Sequence, residues 1–168
     1  MRRLLGGMLA VLLLVSGVAC KQPPSVPAPA QTETAPTAPA DVAALRVKAN
    51  AGDAGAQNYL GFAYFNGQGV PQDYAQAAAW FRKAAEQGDA VAQSNLGAMY
   101  RNGQGVPQDY VESHKWRNLA ASRASAENQK IYAGIRDLVA AEMTLAQLAE
   151  AQKLAREWLA AFEKRGGK

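Results

Sequence analysis

Histidine and cysteine are almost absent, because the 168 residues contain one of each, His114 and Cys20. A zinc site needs about four converging ligands, and a hydrolytic triad needs a nucleophile held beside a base. No motif places either arrangement around His114, which we expect to be a solvated side chain on a helix. The sequence therefore predicts no metal, no cofactor and no catalytic residue.

A long hydrophobic run is also missing. The longest one, residues 4–18, has 15 residues, whereas a helix needs about 20 apolar residues to cross a bilayer. The run follows the basic pair Arg2-Arg3 and ends in small residues, which is typical of an export signal. Residues 1–19 are therefore predicted to be a signal peptide that is removed.

Cys20 falls where this signal would be cut. The stretch VSGVAC that ends at Cys20 resembles the lipobox of bacterial lipoproteins, although Gly17 stands where leucine is usual. The resemblance implies that Cys20 becomes the lipidated first residue, and Lys21 beside it favours sorting to the outer membrane. Because Gly17 and Ala19 also satisfy the small-x-small rule of an ordinary signal peptidase, the alternative is a soluble periplasmic or secreted protein.

Large apolar residues are scarce in residues 21–40, which hold six of the eight prolines. Such a stretch cannot repay the entropy cost of folding. Proline-rich chains extend by about 3.1 Å per residue, so twenty residues reach up to roughly 60 Å. Residues 20–40 are predicted to be a tether that holds a domain away from a membrane.

Clustered basic charge is absent as well. The chain has 18 basic and 14 acidic residues, so removing Arg2 and Arg3 with the signal leaves 16 minus 14, or +2. A nucleic-acid-binding protein normally shows a clustered basic face. The sequence therefore argues against a nucleic-acid partner.

What the sequence does contain is an internal repeat. Residues 52–87 and 88–123 are identical at 20 of 36 positions, and such a period is typical of solenoids. Residues 45–53 resemble the end of a preceding second helix. Residues 124–136 keep the frame but lose the signature, as terminal repeats often do.

Each copy is predicted to be a pair of helices. Trp80 and Trp116, each followed by an Ala-Ala pair, supply the buried face of the second helix. Gly61 and Gly97 lie inside the first helices, where glycine costs about 1 kcal/mol against alanine, so we expect a neighbouring backbone there. Four aspartates are placed to cap the helices, and the last two begin capping boxes with Gln76 and Glu112: Asp53, Asp89, Asp73 and Asp109.

The motif NGQGVPQDY occurs unchanged at 66–74 and 102–110. Its Gly-x-Gly is not followed by the Lys-Ser/Thr of a phosphate-binding loop, and it comes after a helix rather than a strand. We therefore predict a structural turn, in which four glycines take positive φ angles: Gly67, Gly69, Gly103 and Gly105.

The repeated pattern A-x-x-G-D-A-x-A-Q-x-x-L-G-x-x-Y, then G-x-G-V-x-x-D, then W and A-A resembles that of the Sel-one-like repeat family, relatives of the tetratricopeptide repeat. The resemblance implies an all-α solenoid of antiparallel helix pairs, with the repeats spanning 41–123. The family binds mainly proteins or peptides and is common in the bacterial envelope. Some members bind or hydrolyse β-lactams, but this chain lacks their cysteine pairs and has no Ser-x-x-Lys or Lys-Thr-Gly motif.

Residues 124–165 are predicted to hold the degenerate repeat and capping helices. The segment 141–158 resembles the closing helix of such proteins, and Thr144 with Gln147 makes a capping box. An apolar stripe follows on the same helix: Leu148, Ala155, Trp158, Leu159 and Phe162. The helix is slightly basic, so lying on a membrane surface is the alternative to capping the solenoid.

Positions at which the two copies differ are the candidate binding positions. Residues 58, 62 and 65 are spaced i, i+4, i+7 and form a stripe of their own. The resemblance implies that first helices line the concave surface, which gives six candidates: Asn58, Tyr59, Phe62, Phe65, Asn95 and Arg101. In the alternative, Phe62 and Phe65 only pack against the flanking half-units.

The sequence thus predicts a non-catalytic, monomeric scaffold that binds an envelope protein or peptide. Two alternatives belong to other classes of protein. One is a cell-wall-acting enzyme or glycan-binding protein, and the other is an adaptor that only stabilises a larger complex.

Overall fold

The computed structural model describes residues 39–167 as seven helices without a strand. They are α1 (Pro39–Asn50), α2 (Ala54–Asn66), α3 (Tyr74–Glu86), α4 (Ala90–Asn102), α5 (Tyr110–Arg123), α6 (Ala126–Ala140) and α7 (Leu145–Lys164). The pairs α2–α3 and α4–α5 are the two predicted hairpins, which confirms the all-α solenoid. The signal peptide, Cys20 and nearly all of the tether lie outside the described residues.

The predicted aspartate caps are present at all four helix starts. Each side chain satisfies a backbone N–H that has no partner within its helix. In each pair the aspartate Oδ1 accepts from the backbone N of the second residue: Asp53 and Ala56 (2.7 Å), Asp89 and Ala92 (2.7 Å), Asp73 and Gln76 (3.0 Å), Asp109 and Glu112 (3.0 Å).

The capping boxes fare differently. The box at Thr144 is complete, since Gln147 N donates to Thr144 Oγ1 and Thr144 N donates to Gln147 Oε1. At Asp109 the prediction was wrong, because the Glu112 carboxylate turns away and accepts hydrogen bonds from Lys115 Nζ and Trp116 Nε1.

Both copies of the motif form the predicted structural turn. Their four glycines have φ angles between 65° and 70°: Gly67, Gly69, Gly103 and Gly105. Asp73 N donates to Tyr64 O at 2.9 Å and closes the first turn. Val70 packs against the cluster that contains Leu60 and Trp80.

The second turn also joins one hairpin to the other. A Cβ atom at Gly105 would overlap the carbonyl oxygen of Tyr74 and lie 2.7 Å from Ala75 N. The backbone of the second turn therefore lies directly against the start of α3. The copied motif fixes the stacking of the repeats as well as the shape of each hairpin.

The helical glycines have close neighbours, but the neighbours are not all backbone. A Cβ at Gly61 would lie 2.6 Å from the ring of Phe81, so the expected backbone contact was wrong there. A Cβ at Gly97 would lie 2.8 Å from the side chain of Arg117 and 3.0 Å from the carbonyl oxygen of Ser113. In both repeats a large side chain of the second helix crosses the glycine of the first.

A polar contact recurs wherever one pair stacks on the next. Gln57 and Gln93 are buried, and each donates to a carbonyl oxygen of the preceding helix. Three further side-chain hydrogen bonds each span 18 residues: Arg46 to Tyr64 (2.6 Å), Arg82 to Tyr100, and Arg136 to Asn118 (3.3 Å). In the third bond the donor is on the later helix, α6, and the acceptor on the earlier one, α5. The bond nevertheless joins the positions that align with Arg82 and Tyr100. Helix α6 therefore keeps the repeat frame although its sequence has diverged.

The closing helix α7 packs along α5, as a cap. The rings of Trp158 and Trp116 meet edge to face with centroids 5.9 Å apart, and the Arg123 guanidinium lies 4.4 Å from the ring centroid of Phe162. Ala155 is buried in the main core cluster. The apolar stripe predicted for this helix therefore covers the second repeat.

The expectation that His114 is solvated is wrong. Its side chain is 2% exposed, and its Nδ1 has no hydrogen-bond partner among residues 39–167. Burial lowers the pKa of His114, Arg136 lowers it further and Asp137 opposes the change. The repeat frame could have given this result, since His114 aligns with Ala78, which is buried as well.

Acidification is expected to destabilise the domain through His114. Its pKa is lower in the folded chain than the unfolded value near 6.5, so the unfolded chain binds more protons. The free energy of unfolding should therefore fall as the pH drops below about 6.5 toward the folded-state pKa. Urea unfolding at pH 7.5 and 5.0 should show a smaller loss for His114→Ala than for the unchanged chain, and equal losses would contradict this account.

Candidate partner-binding surface

The six candidate residues of the first helices divide by burial. Asn58 is 4% exposed, so its expected place on an accessible stripe was wrong, because α2 is buried at three successive positions, 56–58. The other five are half-buried and reach the surface: Tyr59, Phe62, Phe65, Asn95 and Arg101. We call these five residues the first-helix face.

In the first repeat the two phenylalanines of this face pack within their own hairpin. The ring of Phe62 meets Phe81 edge to face at 5.2 Å, and Phe65 meets Tyr74 at 5.2 Å. The expected alternative was packing against the flanking half-units, whereas both partners lie on α3 of the same repeat. Edge-to-face pairs of this kind stabilise by about 0.5–1.5 kcal/mol beyond their buried area.

In the second repeat, arginines stand at two of the positions that hold these aromatic rings. Arg101 aligns with Phe65, and Arg117 aligns with Phe81. Arg117 is 6% exposed, its Nη1 donates to the carbonyl oxygen of Ile135 at 3.1 Å, and its Nε has no partner among the described residues. Burial lowers the pKa of Arg117 to about 10, so the group remains charged at neutral pH.

The counter-charge comes from outside the two repeats. Arg101 donates a hydrogen bond to the carboxylate of Glu142, which lies in the turn between α6 and α7. This bond holds the pKa of Glu142 below its usual range against the effect of desolvation, and Tyr110 and Arg117 act in the same direction. The site thus combines two guanidinium groups with one carboxylate.

Sequence reasoning found part of this site and missed the rest. Arg101 was found because it differs from Phe65 on the first helix. Arg117 also differs from its aligned residue, Phe81, but it lies on the second helix, whereas the family resemblance implied binding by the first helices. Glu142 gave no signal, because it lies beyond the repeats and has no aligned counterpart.

The described residues form neither a metal cluster nor a membrane span. Among residues 39–167, no three potential metal ligands of the His, Asp or Glu type come together. Within that range, no helix is both long enough and apolar enough to cross a bilayer.

Comparison with known proteins agrees with the repeat pattern. A family model described as Sel1 repeat matches residues 54–89 and 90–125, two residues later than the boundaries of the internal match. No curated protein matches the chain.

Several solved structures are similar to this chain, among them the following two. One is a protective antigen present in uropathogenic Escherichia coli strains and displaying an SLR fold, with 34% identity and a TM-score of 0.67 over 75% of this chain. The other is a Sel1 repeat protein from Oxalobacter formigenes, with 38% identity and a TM-score of 0.50 over 51% of this chain. This chain spans 28% of the first protein and 66% of the second, less than two thirds of either.

Proposed function

We propose, from the premise that this chain belongs to the Sel1-repeat proteins, that it binds another protein or a peptide through its first-helix face. Proteins of this family are generally helical scaffolds for protein interaction. Catalysis is not typical of them, and the proposal accordingly assigns this chain a binding role without chemistry of its own.

The observation that carries the proposal is that several mismatched positions of the first helices reach the surface, although others, such as Asn58 and Ser94, are buried. Matched positions such as Leu60 and Leu96 are fully buried and hold the helices together. Mismatched positions such as Tyr59 and Asn95 reach the surface and differ in chemistry between the copies. Stacking requires the same contacts in every repeat, whereas a partner of irregular shape requires different ones.

The composition of the face also supports binding. Aromatic residues and arginine are enriched among the residues that contribute most energy to interfaces. The face offers aromatic rings on α2 and the Arg101 guanidinium on α4. A partner that spans both helices would contact an apolar surface on α2 and a polar, cationic surface on α4.

Capture of envelope proteins tests this proposal. Changing Tyr59 and Asn95 together to alanine should weaken capture by the full chain about tenfold or more, because hot-spot residues carry at least about 2 kcal/mol. Both side chains are half-buried, so the double change should lower the urea midpoint somewhat, and a circular-dichroism spectrum equal to that of the unchanged chain shows that the variant used for capture is folded. Arg156→Ala, an exposed change on α7, is the matched control, and equal capture by all three proteins would contradict the proposal.

We also propose that the chain is held in the bacterial envelope, at the outer membrane, by a lipid on Cys20. The support is the signal-like residues 1–19, followed by the lipobox-like cysteine and the proline-rich tether. The mass of the mature amino terminus should equal that of an acylated Cys20. An unmodified Cys20, or a terminus elsewhere, would refute the anchor and leave the binding proposal intact.

A further inference from the structure

The pairing of Arg101 with Glu142 joins two parts of the chain that have no repeat relationship. Arg101 lies at the end of α4, and Glu142 lies 41 residues later, beyond α6. At the corresponding place in the first repeat, Phe65 packs on Tyr74, and neither side chain is charged at neutral pH. The second repeat has therefore replaced an apolar contact with a site for a carboxylate.

This site carries more positive than negative charge. Arg101 and the buried Arg117 both act electrostatically on Glu142, which is the carboxylate that they share. The other acids near these helices have partners of their own: Glu112 pairs with Lys115, and the Asp109 side chain caps α5. One carboxylate thus accepts a hydrogen bond from Arg101 and lies within electrostatic range of Arg117.

The contact is also easy to exchange. The side chains of Arg101 and Glu142 are 25% and 36% exposed, and an ion pair so accessible to water adds little to folding stability. Guanidinium groups bind carboxylates with two parallel hydrogen bonds when the geometry allows. A second carboxylate that approached along α4 could therefore replace that of Glu142 at small cost.

We propose that Arg101, with Arg117 next to it, forms a carboxylate-binding site that Glu142 occupies in the free protein and that an acidic residue of the bound partner takes over. The inference rests on the proposed function and adds the partner's chemistry: a protein segment with an Asp or Glu side chain at α4 and an apolar side chain at α2. Glu142 is then an internal competitor that keeps weak acidic ligands out.

Titration with defined peptides tests this. The probe is an acetylated, amidated peptide of alternating Glu and Phe, and its control is the same peptide with Gln in place of Glu. We expect Glu142→Gln to bind the Glu peptide about fivefold more tightly than the unchanged chain, because the competitor is removed. Arg101→Gln should lose most of this binding, and the Gln peptide should bind weakly to all of them.

Glu150→Gln is the control, because it removes another exposed carboxylate (49%, against 36% for Glu142) that pairs with Lys153 on α7. Equal gains in Glu142→Gln and Glu150→Gln would reduce the effect to net charge and overturn the inference. Binding that survives Arg101→Gln, or no binding to any variant, would overturn it as well. Failure of the proposed function looks different: the Glu peptide would bind as expected, while envelope capture would not depend on Tyr59 and Asn95.

Discussion

Replacing Gly105 with alanine is expected to cost about 3 kcal/mol or more of folding free energy. Gly105 has a φ angle of 70°, and a non-glycine residue held there is strained by about 1–3 kcal/mol. A Cβ atom would in addition overlap the carbonyl oxygen of Tyr74, which is backbone and cannot rotate away. Overpacking of this kind typically adds about 1–3 kcal/mol.

Substitutions at two other glycines distinguish the strain of a positive φ angle from the steric overlap with Tyr74. Gly103 has a φ of 65°, but a Cβ there would make only ordinary van der Waals contacts, the nearest at 3.5 Å, so Gly103→Ala should cost about 1–2 kcal/mol. Gly134 lies in α6 with nothing within 4 Å, and Gly134→Ala should stabilise by up to about 1 kcal/mol. Urea unfolding of the three variants should give this order, and equal costs at Gly103 and Gly105 would refute the stacking contact.

Phe81→Ala is expected to have the other large effect, about 3–5 kcal/mol of destabilisation. The Phe81 ring is 1% exposed and lies in the main cluster with residues of α3, α4 and α5. It also packs on Phe62 and lies across Gly61, where a Cβ would come within 2.6 Å of the ring. Its loss would open a cavity between the two repeats.

A double-mutant cycle shows whether Gly61 is needed for this ring. In the unchanged chain, Gly61→Ala should destabilise, because Phe81 must move. In the Phe81→Ala background the space is free, so the same change should become neutral or stabilise by up to about 1 kcal/mol through helix propensity. If Gly61→Ala costs as much in both backgrounds, the glycine has another role.

The repeat comparison predicted the parts of the fold that depend on local sequence. Asp53 and Asp89 cap their helices, and Gly67 and Gly103 reverse the chain with positive φ. These features follow from a few neighbouring residues, and an unchanged copy confirms each of them. The pairing of Trp158 with Trp116 was not predictable in this way, because periodicity shows which face of α7 is apolar but not which helix covers it.

The errors at the candidate site have one physical origin. His114 was expected at the surface as an isolated histidine on a helix, and Asn58 as part of the stripe 58, 62 and 65, yet both are buried at positions set by the repeat frame. Arg101 was assigned to a partner without regard to Glu142, since an ion pair across 41 residues leaves no pattern in the sequence. Polarity and periodicity describe one helix at a time. The site of Arg101, Arg117 and Glu142 is made by three segments, namely α4, α5 and the turn between α6 and α7.

The central claim is that the first-helix face is where this protein meets its partner. A photo-activated cross-linking residue at Ala98 in the full chain tests it most directly in living cells, because Ala98 is half-buried on α4 and aligns with Phe62. Ala98 should join to one discrete envelope protein, while the same probe at Glu86, exposed on α3, should not. Cross-linking from Glu86 alone, or the same product from both positions, would contradict the claim.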